Sequence, residues 1–448
     1  MPTNLRSIKI ARIGVVGLWH LGSVYSAALA ELGHTVVAFD RRKEVVRSFE
    51  RGELPVVEEG LAALTKKNRR AGRLFYTSAV KEVASCALVW LTIDTPCRND
   101  NAPDTSSLSE AFRSLTPHFV EGVTIVVSSQ VPVGSGEAFK RLIQSIRPSL
   151  RFSYLYQPEN LQLGRALSSF FTPARVVIGG ESRENKALLE RVFVRIKAPK
   201  LFMNVASAEM VKHALNSFLA TSLSFIYDIS DLCELYGADV LQVSRALKSD
   251  ARIGPAAYLD SSIGFSGATL GRDLSTLLLK AKEKNLTLPV IAGAREKNER
   301  RWRRVLSLLE DEIPNLRKSS IGFLGVAYKP KTSTTRDSLA LKVMKALRPR
   351  VGHISAYDPL VPKEVIEKAG DYRFCRDPSL LARGASALVL MTSSEEYKKL
   401  DFKKIAARMK QPKLFFDAKN FLWESEEAIK KAGMRYRGIG RGNSHYES

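Results

Sequence analysis

The chain has 448 residues, 45% hydrophobic and 26% charged, enough for two or three domains with ordinary globular cores. No stretch reaches the roughly 20 apolar residues of a membrane span, and the opening MPTNLRSIKI carries no apolar segment with a small-residue cleavage site, so a cytoplasmic protein is expected. The net charge of +23 invites a nucleic-acid reading, but the basic residues are spread along the chain without a zinc-finger or RNA-recognition signature, and no nucleic-acid partner is expected.

In chain order, ARIGVVG (11–17) is a short apolar run ending in glycine. A helical pattern follows with Val24, Ala27, Ala28 and Leu32 on one face and Gly33 as its C-terminal cap, then HTVVAFD (34–40) as a second strand. This βαβ opening favours a parallel sheet with helices on both faces. Runs at 87–93, 123–129, 152–158 and 175–180 continue the alternation. From about 205 to 237 one long apolar-periodic segment reads as a helix, and helical patterns persist to about 312, including REKNERRWRR (295–304) with Trp302 packing inward. Strands resume at 319–327, 353–359, 387–392 and 413–418. The order α/β, helical middle, α/β predicts two Rossmann-like parallel-sheet domains joined by a long central helix and a helical middle domain. The expected boundaries are 1–204, 205–312 and 313–448.

Cys86, Cys97, Cys233 and Cys375 are far apart and form no C-x-x-C pair, and the six histidines include no H-x-x-x-H. A metal site or disulfide framework is therefore not expected. GLWHLG (17–22) sits where a dinucleotide fingerprint G-x-G-x-x-G belongs, after a strand and at a helix start. Gly17 and Gly22 fit, but Trp19 holds the middle position, where its indole either displaces the loop or folds outward. Asp40 closes the second strand, 18 positions after Gly22, where a carboxylate binds the ribose hydroxyls of NAD and repels a 2′-phosphate. Arg41 and Arg42 keep NADP open. The plain alternative is a strand-turn-helix with no ligand.

The later segments come in a recognisable order. LPVVEEGL (54–61), GRLFYT (72–77), TIDTP (92–96), SSQVPVGS (128–135), QPENLQLGRAL (157–167), EMVKHALNSFLA (209–220), ARIGPAAYLDSSIGFSGATLGRDL (251–274), LGVAYKPKTSTTRDS (324–338), AYDP (356–359), DAKN (417–420) and YRGIGRG (436–442) run nearly the whole length. The chain resembles the UDP-glucose/GDP-mannose dehydrogenase family, the nucleotide-sugar 6-dehydrogenases. The resemblance implies oxidation of the C6 alcohol of a nucleotide sugar by two NAD molecules. It also implies an N-terminal NAD domain, a C-terminal domain for the substrate nucleotide, and a homodimer formed through the long central helix. It assigns cofactor contacts to Gly17, Gly22, Asp40, Thr95, Ser129, Arg272 and Arg336. Substrate contacts fall to Arg252, Phe265, Gly267, Lys329 and Lys419, and catalytic roles to Glu159, Lys212, Asn216, Thr269 and Asp273.

Lys212 and Asn216 are one helical turn apart, so both side chains can reach one point and stabilise a developing alkoxide. Glu159 could act as general base or position water. Asp273 could orient water or Lys212, or simply cap the helix LSTLLLKAKEK. The chain departs from the family at several of these positions. Arg272 stands for lysine, Lys419 for arginine, Gln130 for threonine, Leu163 for an acidic residue and Ser266 for glycine. Most importantly, Thr269 stands where the family has its nucleophilic cysteine. A thiolate traps an aldehyde readily at neutral pH, whereas a threonine hydroxyl needs an adjacent base. The expected activity is an NAD-dependent oxidation of a UDP- or GDP-sugar CH–OH group that stops at, or cycles through, the two-electron stage. The alternative is a catalytically silent relative that binds nucleotide sugar or NAD as scaffold or sensor.

Overall fold

The computed structural model describes residues 12–442 except 57, 97–102, 160 and 267. The chain divides into two compact units, the first ending at Ala214 and the second beginning at Leu215. The boundary lies inside the long helix Val205–Tyr236, so the helical middle from Leu215 onward belongs to the second unit.

The first unit is built on an eight-stranded sheet: β1 (Arg12–Val16), β2 (Thr35–Phe39), β3 (Leu74–Thr77), β4 (Leu88–Leu91), β5 (Val123–Val127), β6 (Phe152–Tyr156), β7 (Val176–Gly179) and β8 (Lys200–Met203), in the order β3-β2-β1-β4-β5-β6-β7-β8. Pairing is parallel except between β6 and β7. The central strands read as unbroken apolar runs because both faces are covered. Val36 and Ala38 enter one core cluster while Val37 and Phe39 enter the other, as the twofold alternation of a strand requires.

The second unit holds a six-stranded, all-parallel sheet: β9 (Ser320–Leu324), β10 (His353–Tyr357), β11 (Arg373–Phe374), β12 (Ala387–Leu390), β13 (Leu414–Asp417) and β14 (Arg435–Gly438), in the order β11-β10-β9-β12-β13-β14. This is the same doubly wound order as β1–β6. Here too Phe415 and Phe416 face opposite cores. The ten strands expected from the sequence are present, and the four it did not reveal, β3, β8, β11 and β14, are the four sheet edges.

The helix His20–Glu31 is buried from Gly22 to Ala30, on more than the single face expected. Its glycine, serines and alanines let it lie close against the sheet. Gly33, at φ +102°, closes it by donating its N–H to Ala30 O at 3.0 Å. Trp302 is buried between the helices Pro289–Arg301 and Arg303–Glu312. Arg301 is buried beside it, bonded to Asp231, Ser230 and Ser262 O, and burial pulls its pKa down to about 10. Among the described residues no helix is long and apolar enough to cross a membrane, and no group of three or more His, Cys, Asp or Glu is placed to hold a metal.

Candidate functional site

In the first unit a cleft of about 450 Å³ opens at the carboxyl ends of β1, β2 and β4, lined by Gly17, Leu18, Trp19, Asp40, Arg41 and Arg42 among others. This is the switch point of the strand order, where doubly wound sheets bind their ligands. Gly17 has φ +98° and donates its N–H to Phe39 O at 2.9 Å. A Cβ on Gly22 would lie 1.7 Å from Gly17 O, so only glycine allows the helix to start this close to the strand. Trp19 is 48% exposed and forms the N-cap without a side-chain cap bond. Its indole has folded outward rather than filled the turn. With no side-chain cap, the helix start beside the cleft keeps first-turn N–H groups available to an anion.

Asp40 is buried and its carboxylate is engaged. Oδ2 accepts from Leu18 N–H at 3.2 Å and Oδ1 from Arg42 N–H at 3.0 Å, while the Arg42 guanidinium bonds both oxygens. Thr95, also buried, donates its hydroxyl to Gln130 O at 2.7 Å. Next to Gln130, the buried Ser129 hydroxyl has no hydrogen-bond partner among the described residues. An orphaned buried donor costs about 1–3 kcal/mol, so Ser129 fits a polar group supplied by a ligand. The glycine turn, the uncapped helix start and this hydroxyl together fit a dinucleotide.

The helix Val205–Tyr236 carries a buried polar stripe: Glu209, Lys212, His213 and Asn216. Lys212 Nζ donates to Glu159 O at 2.8 Å and to Glu159 Oε1 at 3.1 Å. Asn216 Nδ2 donates to Asp273 Oδ2. The two side chains thus take different partners, where the spacing alone suggested one shared point. Asp273 is buried inside the helix Ala268–Lys282. That helix begins six residues earlier than the capping alternative assumed. Thr269, one turn before Asp273, is exposed on the same helix. Arg272 lies one residue from Asp273, and its neighbour Thr276 donates a hydroxyl to Arg272 O.

Two stripe residues were not anticipated. Glu209 accepts from Gly134 N–H at 2.7 Å and Gly136 N–H at 2.8 Å, and His213 bonds Val131 O at 2.9 Å. Together they fix the loop that carries Ser129 and Gln130. Burial pushes the Glu209 carboxyl up, against the pull of the two N–H groups. Their signal was available: polar residues at i, i+3, i+4 and i+7 of an otherwise apolar helix share one face. His20 and Glu58 were also missed. Glu58 meets His20 Nε2 at 2.8 Å and accepts from the Gly164 and Ala166 N–H groups, so it ties the fingerprint turn to the loop after Glu159.

The remaining expected residues lie in the second unit, except Gly267, which falls outside the described residues. Phe265 is held by Asn298 through both its N–H and its carbonyl, and Ser266 donates to Tyr328 O at 3.0 Å. Lys329 lies over the Tyr328 ring at 5.5 Å. Arg336 is largely exposed, 4.0 Å from Asp337. Arg252 is exposed and paired with Asp250 at 2.7 Å. Lys419 is partly buried, its ammonium has no hydrogen-bond or ion-pair partner among the described residues, and burial pulls its pKa down to about 8 against the attraction of Asp417.

Residues 11–197 match the NAD binding domain of the UDP-glucose/GDP-mannose dehydrogenase family, 206–300 its central domain and 322–424 its UDP binding domain. The chain is 32% identical over 442 residues to the UDP-glucose 6-dehydrogenase of Rhizobium meliloti (strain 1021), covering 96% of this chain and 99% of that one. The solved UDP-glucose dehydrogenase of the hyperthermophilic archaeon Pyrobaculum islandicum is similar, with a TM-score of 0.86, 28% identity, and coverage of 98% of this chain and 100% of that one. A UDP-D-ManNAc dehydrogenase from Pyrococcus horikoshii gives a TM-score of 0.83 at 27% identity over 96% of this chain and 99% of that one. Sheet order, dinucleotide cleft and matched domains converge: the chain belongs to the UDP-glucose/GDP-mannose dehydrogenase family and is an oxidoreductase of the NAD-dependent, nucleotide-sugar dehydrogenase type.

Proposed function

We propose that the chain oxidises a CH–OH group of a UDP- or GDP-sugar by two electrons and does not complete a rapid four-electron oxidation to the acid. The reading is supported by Thr269, exposed on the helix Ala268–Lys282, where the motif resemblance puts the family's cysteine. Bound NAD supplies the hydride acceptor. The Lys212 ammonium offers positive charge to the alkoxide, with Asn216, held by Asp273, one helical turn away. Glu159 orients that ammonium and takes the hydroxyl proton, which passes to solvent. The balance is one alcohol converted to one aldehyde, with one hydride transferred and one proton released. Nothing in this step needs a nucleophile. In the next step the usual route adds a thiolate to the aldehyde, and a threonine hydroxyl ionises too weakly to replace it.

The proposal divides the chain by task, with NAD bound by 1–204, dimerisation through 205–312 and the substrate nucleotide bound by 313–448. The unpaired ammonium of Lys419 supports an anionic group of the substrate there. The dimer reading is supported by Phe218, Phe225 and Leu232, exposed at 70%, 49% and 51% and seven residues apart on the long helix, the spacing of a helix–helix seam.

Product stoichiometry tests the chemistry. A panel of nucleotide sugars is incubated with NAD, following NADH and product mass. One NADH per sugar, or reversible exchange without net NADH, is expected, and Thr269→Ala should change the rate only modestly. Two NADH with a carboxylate product, abolished in Thr269→Ala, would show threonine acting as nucleophile and refute the proposal. Dinucleotide and sugar binding without any turnover would instead favour the scaffold reading, which Thr269 and Trp19 both suit.

A further inference from the structure

The acceptor that should receive the cofactor's ribose is already saturated. A carboxylate offers about four lone-pair sites. Asp40 uses them on Leu18 N–H at 3.2 Å, Arg42 N–H at 3.0 Å, Arg42 Nε at 3.0 Å and Arg42 Nη2 at 3.1 Å. The two backbone donors are fixed by the fold. The other two belong to one guanidinium on a side chain 54% exposed. Only Arg42 can leave.

The carboxylates in contact at this end of the cleft are each faced by a guanidinium, and Glu44 also acts on Arg42 from nearby. Arg42 faces Asp40, and Arg41 pairs with Glu110 at 2.8 Å with both side chains exposed. A further carboxylate, Asp94, also lines the cleft. It follows β4, two strand spacings from the β2 end, or about 10 Å. The repulsion that a lone aspartate exerts on a 2′-phosphate is therefore opposed, where it would act, by a guanidinium in direct contact with the carboxylate. Guanidinium groups are also the side chains best shaped to bind a phosphate through two parallel bonds.

We propose that Arg42 is a specificity-determining residue of the cofactor site. It must be displaced from Asp40 before the ribose diol of NAD can bind there, and with Arg41 it receives the 2′-phosphate of NADP, so that the chain takes both dinucleotides. This inference rests on the reading of the cleft as a dinucleotide site. It extends the NAD assignment by naming the residue that limits discrimination.

Calorimetric titration of the full-length chain with NAD and, separately, NADP tests it without any turnover. The wild type is expected to bind the two within about tenfold of each other. Removing the competing fork in Arg42→Ala should tighten NAD and weaken NADP, each by up to about tenfold, the scale of a charge-assisted hydrogen bond. Arg42→Lys, which keeps the charge but loses the fork, should retain NADP binding better than Arg42→Ala. An unchanged NAD-to-NADP ratio in Arg42→Ala, or a wild type that excludes NADP while binding NAD, overturns the inference and leaves the cleft reading standing. Failure of the wild type to bind either dinucleotide, or binding untouched by Gly22→Ala, overturns the cleft reading and the inference with it.

Discussion

The two units repeat one arrangement and use it differently. In each, a glycine of positive φ follows the first strand of the sheet, Gly17 after β1 and Gly325 after β9, and donates its N–H to the end of the second strand at 2.9 and 2.8 Å. In each, an aspartate closes that second strand and accepts from the turn: Asp40 from Leu18 N–H, Asp358 from Val326 and Ala327 N–H. The difference lies in the remaining acceptor sites. Asp358 spends them on two more backbone groups, Leu360 and Val361 N–H, whereas Asp40 spends two on the half-exposed Arg42 side chain. The turns also diverge after the glycine. The first unit enters its helix at His20, while the second runs through a loop to a helix at Leu339. One turn presents an uncapped helix N-terminus and a carboxylate that lines the cleft and is paired with a half-exposed side chain. The other is locked by its own backbone, which makes Asp358 a structural residue.

Substituting the two aspartates breaks this comparison most directly. Asp358→Ala leaves four N–H groups unpaired, those of Val326, Ala327 and Val361 being buried, and should cost about 4 kcal/mol of stability at 1–3 kcal/mol per buried orphan. Urea titration by circular dichroism measures it. A loss below about 1 kcal/mol would mean that water enters the turn and that the two aspartates are alike.

Lys419 gives the next largest effect and sharpens the contrast, because its ammonium has no partner among the described residues of the kind that Arg42 finds in Asp40. Its pKa falls from the ordinary 10.5 to about 8. Below pH 8 the partly buried ammonium is charged in both states and its desolvation penalty is fully felt. Between about 8 and 10.5 the unfolded chain binds the additional proton, so stability rises with pH across that window. Lys419→Met should stabilise the unliganded chain at pH 7 by up to about 3 kcal/mol, remove that rise, and weaken UDP binding. Melting curves from pH 7 to 10 check it, and a destabilised Lys419→Met would show that the lysine has a structural partner.

The smallest stability effect is expected at Asp40. Asp40→Ala releases Arg42 to solvent and leaves one buried backbone donor, that of Leu18, against three for Asp358→Ala, a loss of about 1 kcal/mol in the same urea experiment. A loss as large as that of Asp358→Ala would make Asp40 structural too.

Sequence alone determined the architecture wherever apolar runs were long and covered on both faces. The ten interior strands were legible for that reason, and so was the long helix expected at 205–237 and found at Val205–Tyr236. The four edge strands were not: β11 has two residues and β8 is only partly buried, and an edge strand, covered on fewer sides, needs no continuous apolar signal. The fingerprint glycines, Asp40 and the catalytic-type residues were named from motif order, and the matched domains place the chain in the family that order resembled. What tertiary structure decided is which groups are already partnered. Spacing put Lys212 and Asn216 on one helical turn, but only folding sent one to Glu159 and the other to Asp273. Spacing set Arg42 two residues from Asp40, but only the closed turn showed the carboxylate filled on all sides. Motifs record which chemistry is present, and hydrogen-bond partners come from residues distant in sequence. Whether a charge is free or spent is therefore settled by the packing of the chain.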